Sequence, residues 1–147
     1  MTQDTAQLDL VLHLRREQER QAGEALRTAQ SLLSEEEQRL AALEGYAEEY
    51  HGRQAIGPSD PRVLRDARLF LAQLEQTRQA QGHQVLRARE AVETARARWL
   101  SARVQREAIE RLAGRRQDER RRGEARAEQR QQDELSLAAR VVAGSVH

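Results

Sequence analysis

The chain has 147 residues, enough for one domain of average size, and carries 33% charged against 38% apolar residues with a formal net charge of +1. One Trp, one Phe and two Tyr cannot fill the thick core of an α/β enzyme, a sandwich or a barrel. Ala, Leu, Gln, Glu and Arg dominate, which is the composition of long helices and coiled coils.

The first predicted element is a helix over about residues 6–51. Leu8, Leu12, Arg15, Glu19, Ala22, Leu26, Ala29, Leu33, Glu36, Leu40, Leu43, Ala47 and Tyr50 follow alternating steps of four and three. Ten of these thirteen are apolar or aromatic, and a sustained repeat of this kind is a coiled-coil seam. Asp4 is placed to cap this helix, with Gln7 three residues on as in a capping box. Gly52 stands where a left-handed C-cap is expected.

Residues 52–60 carry the turn chemistry, in Gly57, Pro58, Ser59 and Asp60, and read as the loop. Asp60-Pro61 is an N-cap followed by proline at the first helical position. The second helix is expected over about 61–137, with 138–147 frayed. Its seam is Leu64, Ala67, Leu71, Leu74, Arg78, Gln81, Val85, Ala88, Val92, Ala95, Trp99, Ala102, Arg106 and Ile109. A short loop between two long seams makes the helices antiparallel neighbours. The expected fold is therefore all-α: one domain over 1–147, an antiparallel two-helix coiled-coil hairpin with a longer second helix.

Setting Tyr50 beside Leu64 fixes a register in which Leu43 faces Leu71, Leu40 faces Leu74 and Glu36 faces Arg78. Arg15 then faces Trp99, where its guanidinium either stacks on the indole or snorkels to solvent. By length alone, residues after about Arg106 have no partner from the first helix.

Enzyme signals are absent. Gly23, Gly45, Gly82, Gly114 and Gly123 are isolated within helical pattern and make no phosphate loop. His13, His51, His83 and His147 are far apart and form no metal cluster in the hairpin register. With no Cys, thiolate metal sites and Cys nucleophiles are excluded. No catalytic residue, cofactor or metal site is expected. Met1-Thr2-Gln3-Asp4 lacks the basic start of a signal peptide, and no run approaches the ~18 apolar residues of a membrane span. A cytoplasmic protein is expected, without membrane insertion.

Arg111 to Gln132 holds eight Arg against Asp118, Glu119, Glu124 and Glu128. It reads as a solvated single helix, a protein-binding surface or a nucleic-acid surface; no aromatic is interleaved for base stacking, so no nucleic-acid partner is expected. Tyr46, Tyr50 and Phe70 cluster near the loop. Two thin helices cannot bury all three, so they are candidates for partner contact; otherwise they cap the end of the seam.

The stretch Leu40-x-x-Leu43-x-x-Tyr46-x-x-x-Tyr50, the short loop, Phe70-x-x-x-Leu74, the Val92-Glu93 to Trp99 stretch and the polar Glu128-Gln129 to Asp133-Glu134 end resemble the FliJ family of the bacterial flagellar type III export apparatus. The resemblance covers nearly the whole chain. It implies a non-enzymatic, rotary-stalk-like rod that binds the hexameric export ATPase and the cytoplasmic region of the export-gate membrane protein, and that handles export chaperones. It implies a location at the cytoplasmic face of the inner membrane, at the flagellar base, and a role in motility. Carried over, the gate-binding surface is Leu43, Tyr46, Tyr50, Phe70 and Leu74. Arg39, Thr77 and Gln81 depart from the residues usual at its rim. The ATPase-facing part is expected at the paired ends, the start of the first helix and the long C-terminal half of the second, the latter through Ile109, Leu112, Arg116, Arg120, Arg122, Arg126 and Arg130. The alternatives are the equivalent stalk of a virulence injectisome and a coiled-coil chaperone or adaptor unrelated to export.

Overall fold

The computed structural model describes residues 2–54 and 60–145. They form two helices, α1 (Thr2–Gln54) and α2 (Pro61–Ser145), with no strand among the described residues. The helices pack against each other as an antiparallel hairpin, and α2, at 85 residues, is longer than α1, at 53. By their contacts the residues form two compact units: a central one of residues 17–103 and a terminal one of 1–16 with 104–147.

The start of α2 follows from local chemistry. Asp60 Oδ1 accepts from the Arg62 amide at 3.0 Å, and the Asp60 carbonyl accepts from the Leu64 amide at 3.1 Å. Asp60 is thus the N-cap, and Pro61 opens the helix at the position where its missing N–H costs nothing. The rest of the expected turn, residues 55–59, lies outside the described residues.

The start and end of α1 differ from expectation. The helix begins at Thr2, so Asp4 sits inside the first turn rather than at the cap. There its carboxylate still meets the positive end of the helix dipole. At the other end the helix runs through Gly52 to Gln54, and no described glycine has positive φ. Glycine permits a left-handed cap without requiring one, and inside a helix it costs about 1 kcal/mol relative to Ala. His51 and Arg53 in the last turn suit the negative end of the dipole.

The seam is where the 4-3 pattern puts it. Every α1 seam position from Leu8 to Tyr50 is half-buried, and every α2 seam position from Ala67 to Ile109 is half-buried or buried. Leu64 alone remains exposed. Among the described residues the buried apolar ones are Ala67, Val85 and Val92, all on the α2 seam of the central unit. The core is one side chain thick because two helices can cover only one stripe of each other. Beside the seam, Gly23 lets the Trp99 indole approach: the position of a Cβ on Gly23 lies 3.5 Å from the ring.

The register in the central unit is about one helical turn away from the expected one. Gln81, not Arg78, lies against Glu36: its Nε2 donates to the Glu36 backbone carbonyl at 2.9 Å and to the Glu36 carboxylate. Arg78 turns to Glu75 of its own helix instead. Tyr50 packs on Phe70, with ring centroids 4.7 Å apart, rather than beside Leu64. The Ala- and Leu-rich seam tolerates a one-turn slip at little cost. A Gln amide can satisfy both a carboxylate and a carbonyl across the seam, whereas an Arg there has an acidic neighbour one turn away. The cation over Trp99 is Arg103, at 5.6 Å, while Arg15 donates to Gln105 at 2.7 Å.

In the terminal unit the start of α1 covers more of α2 than chain length alone suggested. Arg16 pairs with Glu110 at 3.1 Å, and Asp4, Thr5 and Leu8 share a shallow groove with Arg116, Glu119 and Arg120. Coverage ends at Gly123, and every residue from Glu124 to Ser145 is exposed. The overhang expected from Arg106 therefore begins about five turns later, because α1 starts earlier and the register differs. The end expected to fray is helical to Ser145; residues 146 and 147 lie outside the described residues.

Candidate partner-binding surfaces

The five expected gate-binding residues all lie in the central unit, close to where α1 ends and α2 begins. Leu43, Tyr50 and Leu74 are half-buried seam residues. Tyr46 is 62% exposed and Phe70 46% exposed. Tyr50 and Phe70 meet at an interplanar angle of 43°, a tilted aromatic pair. Half the pair therefore belongs to the seam and half to the surface. Tyr50 packs against Phe70, and Phe70 and Tyr46 remain exposed.

Sequence reasoning did not single out two further exposed apolar residues of the central unit. Val63 and Leu69 are exposed large apolar side chains in the first turns of α2. Leu69 also lines a shallow groove with Pro61, Leu64, Arg65 and Arg68. The signal was present in Val63-Leu64 and Leu69-Phe70-Leu71: two seams' worth of apolar residues where one seam needs half of them.

The expected ATPase-facing residues divide into two groups. Ile109, Leu112 and Arg120 are half-buried, within the part of α2 that the start of α1 covers. They serve the hairpin's own packing. Arg116, Arg122, Arg126 and Arg130 are exposed, and Arg126 Nε donates to the Arg122 carbonyl at 3.3 Å. Beyond them Leu135, Leu137, Val141 and Val142 are exposed on the last turns of α2.

The titratable groups describe ion pairs on helix surfaces. Hydrogen bonds from Arg106 and then Arg16 hold the Glu110 carboxyl below the usual carboxylate range. A hydrogen bond from Arg78 does the same for Glu75. Such exposed pairs each contribute little to stability. Among the described residues no group of three or more His, Asp or Glu could hold a metal. His13, His51 and His83 are exposed, and His147 lies outside the described residues. No described helix is long and apolar enough to cross a membrane.

Residues 4–144 match the model of a family described as Flagellar FliJ protein. No curated protein and no solved structure matches the chain. A match over nearly the full length, on a two-helix hairpin with a longer second helix, makes this chain a member of the FliJ family.

Proposed function

We propose that this chain is a non-enzymatic stalk and coupling protein of the flagellar export apparatus, binding the export ATPase ring through the far end of α2 and the export gate through the tip aromatics. Family membership supplies the first half of this reading: a FliJ-family chain is a component of flagellar protein export. The exposed pair Tyr46 and Phe70 supports the gate contact. Aromatics at a surface carry area at low entropic cost, and hot spots are enriched in them. The exposed helix from Glu124 supports the ring contact. A polar single helix is only marginally stable in water, so binding a ring would order it. Arg122, Arg126 and Arg130 would meet acidic groups lining the ring, making the contact weaker with added salt. A rod seated in a ring breaks the equivalence of its subunits and so alters ATP turnover without touching nucleotide. Export chaperones are further partners of the same reading.

The single observation that carries the reading is the family match over residues 4–144. The gate contact is tested by a pull-down with the cytoplasmic region of the cognate export gate. Tyr46→Ala with Phe70→Ala is expected to weaken capture by about tenfold or more while helicity by circular dichroism stays nearly unchanged. A large loss of helix in this variant would make the rings structural. Unchanged capture would remove the tip from the gate contact.

A further inference from the structure

The two edges of the seam differ in the central unit. On one edge charges face each other across the helices, as in Glu37 with Arg89 at 3.8 Å. On the other edge lies an apolar groove. Ala29 and Ala88 form its floor, Ala25, Thr28 and Leu32 one wall, and Arg87 and Ala91 the opposite wall. Leu32 is 51% exposed there although it is large and apolar.

The sequence extends this edge in both directions. The α1 residues that directly precede the seam from Ala22 to Leu33 are Gln21, Ala25, Thr28 and Leu32, without a charge. The α2 residues in the same position from Gln73 to Ser101 include no carboxylate, and their charges are Arg87 and Arg98. In a chain of which 33% is charged, such a strip is not the average surface. Glu36, at the groove's end, is already held by Gln81 and Arg39. Neither Arg87 nor Arg98 has an ion-pair partner among the described residues. Toward the tip the same position on α1 carries Glu35 and Arg39 before Tyr46, so the uncharged strip of α1 ends at Leu32, short of the exposed aromatics.

We infer that this groove is a docking site for an amphipathic helix of a partner protein, one with an apolar stripe and a row of carboxylates along one edge. Small residues on the floor let a third helix approach closely, and Leu32 offers it an apolar wall. Arg87 and Arg98 select the acidic edge. Two-fold pairing with a second copy is disfavoured by the same charges. It would bring Arg87 and Arg98 of both chains onto walls that carry no carboxylate. The groove shares no lining residue with Tyr46, Phe70, Arg122, Arg126 or Arg130, so a helix docked there would leave the residues of the proposed contacts free.

The probe is a fluorescein-labelled synthetic helix of about 18 residues, with Leu at the a and d positions and Glu along one flank, and a twin with Lys in place of Glu. Fluorescence anisotropy with the full chain is expected to show saturable binding of the Glu helix at least about tenfold tighter than of the Lys helix. Arg87→Glu with Arg98→Glu should invert that preference. Ala91→Trp, which fills the groove without changing charge, should weaken the Glu helix by about tenfold with helicity unchanged. The inference is overturned if the two helices bind alike or if Ala91→Trp leaves the Glu helix bound as before. It is also overturned if sedimentation shows the chain pairing with itself until Ala91→Trp separates it. Neither the ATPase nor the gate enters this assay, so its failure is distinct from failure of the export reading.

Discussion

At the residue scale, charged side chains pair repeatedly with an opposite charge one turn away on their own helix, as Arg20 does with Glu17 and Glu24. Glu110 does more, because it holds Arg106 of its own helix at 2.8 Å and Arg16 of α1 at 3.1 Å. Its folded-state pKa is lowered by these hydrogen bonds, so its contribution is present above the ordinary carboxylate range and is lost as pH falls through the folded value. The parent chain should therefore lose more thermal stability than Glu110→Gln when pH falls from about 7 to about 3, and the gap between their Tm values should close. A gap independent of pH would mean that Glu110 contributes nothing as an ion-pair partner of Arg106 and Arg16. Which residues meet was less legible than which residues are covered. The 4-3 steps marked Arg15, Glu36, Arg78 and Gln81 as seam defects, and all four are half-buried. Their partners were not readable, because each polar side chain had more than one acceptor or donor within a turn.

At the element scale, the periodicity alone located both helices and their facing stripes, and Asp60-Pro61 located the start of α2 to the residue. Register was not legible, since sliding one Ala- and Leu-rich seam past another by a turn exchanges apolar residues for apolar residues. The choice is made by a few polar contacts, above all Gln81 on Glu36. The end of coverage was misjudged for a related reason. The Asp4 and Gln7 pattern suggested a cap that the helix runs past, and four further residues of helix reach more of α2. The absence of Cys makes the register directly testable. Glu36→Cys with Gln81→Cys should crosslink within one chain under mild oxidation, and Glu36→Cys with Arg78→Cys should do so much more slowly. Crosslinking between chains instead would replace the hairpin with a parallel dimer. The groove beside Ala25 and Ala91 was hidden for another reason: it is marked by missing charge one position off the seam, not by a motif.

At the scale of the whole molecule, the hairpin supplies its own packing through Gly123, and the following 22 residues of α2 are all exposed. Removing them should leave the thermal transition nearly unchanged, because no covered residue is lost. The tip aromatics were legible as a surplus of rings that two helices cannot bury, whereas the division of the Arg-rich half into a packed part and a free part needed the structure. Ile109 and Leu112 belong to the first; Arg122, Arg126 and Arg130 belong to the second. Stimulation of the cognate export ATPase, measured side by side for the full chain and for a chain ending at Gly123, puts the stalk reading at risk most plainly. The full chain should stimulate turnover, less so as salt is added, and the shortened chain should fold with the same transition and fail to stimulate. A shortened chain that stimulates fully would reduce the free helix to a solvated spacer and contradict the stalk.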